Sequence, residues 1–88
     1  MYQYFFEFLG TLIFTYVILA TANPLAIGAT FALIKLLTQD LTPGYLNPAI
    51  TITLASTGVI ASTEVIFYCL VQVFGALVAL EIFKRYRV

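Results

Sequence analysis

Asn47-Pro48-Ala49 carries the clearest chemical signal in this chain. Asn is a strong helix cap and Pro suits the first helical position, so the pair starts a helix. The signal follows a turn-rich stretch, Thr42-Pro43-Gly44, and leads into Ile50 to Thr57, an apolar segment too short to cross a bilayer. A short helix beginning at membrane depth presents free N–H groups and a positive dipole end to whatever occupies the space before it. That arrangement suits a channel or transporter. The other polar residues are sparse: Glu7, Lys35, Asp40, Glu64 and Gln72 each stand apart from one another along the chain. There is no His and one Cys, Cys69, so no carboxylate pair or metal-ligand spacing can be drawn. No enzymatic reaction and no cofactor are expected.

Composition dictates the elements that position these residues. The chain is 62% hydrophobic and 9% charged, too little polar surface for a soluble domain of 88 residues. Net charge is zero, which gives no electrostatic case for a nucleic-acid partner. Cys69 has no second Cys to pair with and sits in an apolar run. The first apolar run lacks a basic leader and is longer than a signal-peptide core, so it reads as a retained span.

Three spans and one insert follow. Span one runs roughly Tyr4 to Thr21, with Glu7 near its start. Asn23-Pro24 is a second cap signal and opens span two, roughly Pro24 to Gln39. Asp40 to Leu46 form a turn, and the short helix covers about Pro48 to Thr57, with Gly58 as its stop. Ser62 is the expected cap of span three, roughly Thr63 to Phe83, with Glu64 in its first turn. Lys84-Arg85-Tyr86-Arg87-Val88 reads as a basic, aromatic interfacial anchor. Phe5, Phe6 and Phe8 read as lipid-facing or interfacial aromatics. The whole chain, 1–88, reads as one unit without soluble domains.

A half-length helix beside irregular backbone survives in lipid only where protein or a watery cavity surrounds it. Three spans and a half-helix cannot enclose a pore, whereas two inverted repeats whose half-helices meet at the midplane can. The chain therefore reads as one repeat that needs a second copy or a complementary half.

With these residues in view, the sequence resembles the aquaporin and aquaglyceroporin (major intrinsic protein) family over nearly its whole length. Glu7-Phe8-Leu9-Gly10-Thr11 is similar to the opening of the family's first helix. Leu46-Asn47-Pro48-Ala49-Ile50-Thr51 is similar to its first-repeat loop, and Tyr68, Gln72, Gly75 and Ala76 match its third helix in register. Pro24-Leu25-Ala26-Ile27-Gly28, Leu36-Leu37, Asp40 and Thr42 look more like the second repeat. There are departures. One NPA is present where the family's pore uses two. Ile50 stands where a second repeat holds its filter Arg, Tyr45 and Pro43 replace a frequent His and Gly, and the first loop is shorter than usual.

The resemblance implies an all-α membrane protein: an aquaporin-like half-channel with three transmembrane helices and one re-entrant NPA half-helix. It implies passive passage of water or a small neutral solute such as glycerol. Asn47 would donate its amide to the passing solute, with Pro48 and Ala49 completing the motif. Ile27, Lys35, Gly44 and Ile50 fall at filter positions, and in an antiparallel homodimer each vestibule would receive Ile27 from one copy and the others from its mate. Lys35 would then supply the missing fixed positive charge; the alternative is a snorkelling Lys paired with Asp40. Glu7 and Gln72 would hold the re-entrant loop, against a headgroup-level charge and ordinary interhelical hydrogen bonding respectively. Gly10, Gly28, Gly75 and Ala79 read as close-packing sites between helices.

The expected surroundings are the lipid bilayer, crossed several times. The basic residues after span three favour a cytoplasmic C-terminus, the reverse of a first aquaporin repeat. Two other readings accompany the channel: a non-conducting structural membrane protein, and a truncated half-channel that is inactive by itself.

Overall fold

The computed structural model describes residues 2–86; Arg87 and Val88, part of the expected anchor, lie outside the described residues. Four helices follow one another: α1 Tyr2–Ala20, α2 Pro24–Thr38, α3 Pro48–Ser56 and α4 Ser62–Arg85. Among the described residues there is no strand.

Length separates the helices. At about 1.5 Å per residue, α1 (19 residues) and α4 (24 residues) reach roughly the 30 Å of a hydrocarbon core. Helix α2 has 15 residues, about 22 Å, and α3 has 9, under half a bilayer. Only 17% of the most apolar stretch of α1 and 22% of that of α4 is buried within the chain. Core helices of a soluble protein are mostly buried; these two turn most of their apolar surface outward, as membrane helices do. The chain is an all-α membrane protein whose longest dimension is 40 Å.

The cap residues set where helices begin. Asn23 Oδ1 accepts from the N–H groups of Leu25 at 2.9 Å and Ala26 at 3.3 Å, and Pro24 takes the first helical position. Asn47 does the same for α3, accepting from Ala49 N–H at 2.7 Å. Helix α3 ends in a Schellman turn: Val59 N–H reaches Leu54 C=O at 3.1 Å and Gly58 N–H reaches Ala55 C=O at 3.0 Å. Gly58 takes φ +85°, which a residue with a side chain rarely adopts. Ser62 does not cap α4. It is already helical, and Ala61 occupies the cap position in extended geometry (ψ 140°) with no side-chain bond. Glu64 is left as the first-turn group complementing the helix dipole.

Packing centres on α1 against α4, with α2 laid on α1 and α3 on α4; α2 makes no helix contact with α3 or α4. Gly75 allows the α1–α4 approach. A Cβ there would lie 2.6 Å from the Phe8 carbonyl oxygen and 3.3 Å from Leu12 N, both backbone atoms. Ala79, one turn on, is completely buried. Gly10 instead makes room for a side chain: a Cβ would meet Leu46 Cδ2 at 2.7 Å. Gly28 is a correction to the packing assignment. It is exposed, and a Cβ would meet nothing within 4 Å, because α2 turns this face away from the rest of the chain.

The two glycines therefore predict opposite behaviour. Gly75→Ala forces α1 and α4 apart and should lower unfolding stability by about 1–3 kcal/mol. Gly28→Ala should leave the solubilised chain unchanged or slightly more stable, since Ala favours the helix by up to about 1 kcal/mol. Thermal unfolding of both variants in detergent checks the contrast.

Candidate functional site

The loop between α2 and α3 has no secondary structure to satisfy its buried backbone groups, which need partners from elsewhere in the chain. A carboxylate satisfies them. Glu7, in the second turn of α1, is 0% exposed. Its Oε2 accepts from Gly44 N–H at 2.7 Å and Tyr45 N–H at 3.1 Å, and also from the Thr42 hydroxyl. Its Oε1 accepts from Leu46 N–H at 3.0 Å and from Gln72 Nε2 at 3.3 Å. One side chain thus collects three consecutive loop amides and binds α1 to α4.

Gln72, also fully buried, extends the network. Its Nε2 lies 2.9 Å from Thr51 Oγ1, and the Thr51 hydroxyl donates to the Asn47 carbonyl at 2.9 Å. Every buried side-chain polar atom among the described residues has a partner. Thr11, Thr42 and Thr51 join this network, and sequence reasoning, which noted them only within motifs and the turn, gave them no role. Their hydroxyls find partners about 20 to 35 positions away, and local spacing carries no trace of that.

Leu46 shows what the network accomplishes. It is a buried non-glycine residue at φ +61°, a left-handed conformation costing roughly 1–2 kcal/mol. Its N–H is tied to Glu7 and its carbonyl accepts from Thr11 Oγ1 at 3.4 Å, while its side chain fills the space over Gly10. Fixed on both sides, it turns the chain so that Asn47 enters α3 extended (φ −151°, ψ 126°). Asn47 is exposed, and its Oδ1 is committed to the cap, so Nδ2 is the donor left for a solute. Beside it a groove of about 260 Å³ opens between α1 and α4, lined among others by Thr11, Thr15, Asn47, Pro48 and Ala76.

Of the filter candidates, only Lys35 and Gly44 meet within the chain. Lys35 Nζ is 3.3 Å from the Gly44 carbonyl and 3.5 Å from that of Pro43. It does not pair with Asp40; the ion pair found among the described residues is Lys84–Glu81 at 3.5 Å. Ile27 sits two turns earlier on α2, about 12 Å along the axis from Lys35. Ile50 lies on the open side of α3, 40% exposed, next to Ala49 and Thr53. Tyr45 packs its ring on Tyr68 at 5.5 Å.

The network predicts that Thr51→Val, which keeps shape and removes one hydroxyl, takes away the partner of buried Gln72 Oε1 at 3.1 Å, while the Asn47 carbonyl keeps Thr51 N–H at 2.9 Å. Stability should fall by about 1–3 kcal/mol, read as an earlier unfolding transition in detergent.

Comparison with known proteins agrees with this architecture. No curated protein and no solved structure matches the chain. The family model described as "Major intrinsic protein" matches residues 21–88, from the loop before α2 to the C-terminus. That match covers well over half of the 88 residues, including the turn, Asn47-Pro48-Ala49 and α4. The chain belongs to the major intrinsic protein family, whose members are integral-membrane passive channels for water or small solutes and not enzymes.

Proposed function

We propose that the chain is one half of a channel for water or small neutral solutes such as glycerol, completed by a second copy in antiparallel orientation or by a complementary half. The observation that carries this reading is the exposed Asn47, whose Oδ1 closes the α3 cap at 2.7 Å and whose amide donor faces no competing role. Two such donors, each backed by the positive end of a short helix, orient a polar solute and raise a barrier to cations.

Two further features support pairing. Helix α2 leans on α1 alone and leaves Leu25, Leu36 and Leu37 at 81%, 63% and 70% exposure, a surface on which lipid or a second half can rest. The groove beside Asn47 and Pro48 is open to the outside, which leaves room for a second half to approach. In this reading α2 is the third membrane helix despite its 15 residues, with a locally thinner bilayer or its polar flank, Gln39 and Asp40, making up the length. Ile27, Gly44 and Ile50 line a wide, largely apolar constriction, favouring glycerol-sized solutes over strict selection of water. Lys35 supplies the fixed positive charge there. Glu7 and Gln72 hold the loop and do not touch the solute.

Osmotic shrinkage of proteoliposomes, followed by stopped-flow light scattering with glycerol as second osmolyte, tests the proposal. Wild type should give fast flux with a low activation energy. Asn47→Asp exchanges a donor for a negative acceptor, and flux should drop about ten- to hundredfold, equivalent to about 1.4–2.7 kcal/mol of added barrier. Wild-type flux equal to that of empty liposomes, with the protein folded and inserted, would overturn conduction by this chain alone and leave the missing-half and structural readings.

A further inference from the structure

The carbonyl side of the loop holds the Lys35 ammonium in an arrangement whose local chemistry goes beyond a fixed charge at a constriction. Two backbone carbonyls, those of Pro43 and Gly44, converge on one point, 3.5 and 3.3 Å from Lys35 Nζ. The same nitrogen lies 5.6 Å from the centre of the Phe31 ring. Carbonyl oxygens and aromatic faces are among the neutral groups that proteins use to hold monovalent cations. No carboxylate among the described residues pairs with this ammonium. The surroundings are those of a cation site, and the occupant is part of the chain.

Each wall of the site is held by contacts that do not involve the ammonium. Gly44 is buried at φ +67°, and its N–H is fixed by Glu7 at 2.7 Å, which sets the plane of the adjoining peptide. Phe31 packs against Phe14 with ring centres 5.2 Å apart. The Lys35 stem crosses Gly44 closely, 3.5 Å from where a Cβ would stand. Taking away the ammonium therefore leaves the walls in place.

We infer that Pro43 C=O, Gly44 C=O and the Phe31 ring form a monovalent-cation site whose resident ion is the chain's own Lys35 ammonium. Neutral oxygens without a carboxylate favour a singly charged, weakly hydrated ion over a divalent one, and an N–H donor fits the carbonyls best. A small primary ammonium is the chemical equivalent of what Lys35 provides. A tethered cation occupies the position that a free one would take, so the loop presents its carbonyls without recruiting cations from solution. The consequence for transport rests on the channel reading; the site itself does not.

Purified Lys35→Ala in detergent, titrated with methylammonium chloride and, at equal ionic strength, with tetramethylammonium chloride, tests the inference by thermal unfolding. Tetramethylammonium is bulky and has no N–H to donate. Lys35→Ala should unfold at a lower temperature than wild type and recover saturably with methylammonium alone. At ten times the half-saturating concentration, the folded-to-unfolded ratio should be about tenfold higher. Wild type and Lys35→Arg, whose sites are filled, should respond to neither salt, and adding Phe31→Leu to Lys35→Ala should weaken the recovery.

A flat response of Lys35→Ala, or an equal response of wild type, would overturn the inference. If Lys35→Ala cannot be recovered folded, purification in methylammonium throughout decides: recovery sustains the site and continued failure overturns it. Because binding is read on solubilised protein, failure of wild-type flux in liposomes would count against the channel and not against the site.

Discussion

Everything in this structure depends on one buried carboxylate meeting backbone that no helix satisfies. Glu7 is the acceptor for Gly44, Tyr45 and Leu46 N–H and for the Gln72 amide. A carboxylate with no exposed surface is costly unless its oxygens are fully matched, and buried loop backbone is costly unless its amides are. Each answers the other. The position of Asn47 follows from that match, because Leu46, directly before it, would not keep φ +61° without being fixed at both its N–H and its carbonyl.

The loop has two electrostatic faces. Its N–H groups turn toward Glu7, and the carbonyls of Pro43 and Gly44 turn toward Lys35. The peptide planes thus lie between an anion and a cation, aligned with both. Gly44 suits this place because its φ of +67° strains any other residue. Farther out, the ring pairs Tyr45–Tyr68 and Tyr4–Tyr68, at 5.5 and 4.9 Å, fasten the loop's edge to α1 and α4. The half-helix α3 inherits its direction from these contacts, having little packing of its own beyond α4.

How much of this is legible in the sequence depends on the range of each interaction. Asn23-Pro24, Asn47-Pro48 and Gly58 can be read because caps and stops act within three or four residues. Membrane character is equally plain, since apolar length needs no partner to be seen. Ser62 misleads because the residue before it, Ala61, takes the extended cap backbone and Ser62 is already helical. Gly28 misleads because a small residue signals close approach without naming the surface approached. The bonding of Thr11, Thr42 and Thr51 is invisible: a Thr in an apolar helix or a turn is unremarkable until the fold brings Leu46, Glu7 and Gln72 beside it. The Lys35 site belongs to the same class, since backbone carbonyls leave no mark in a sequence.

Hydrogen exchange at the loop amides tests the central claim most directly. Comparing wild type with Glu7→Gln, exchange at Gly44, Tyr45 and Leu46 should be slow in the wild-type chain and accelerate strongly in the variant, while amides in the middle of α4 keep their protection. Loop amides that exchange equally slowly in both would contradict the account, for something other than the Glu7 carboxylate would then be holding the backbone that aims Asn47.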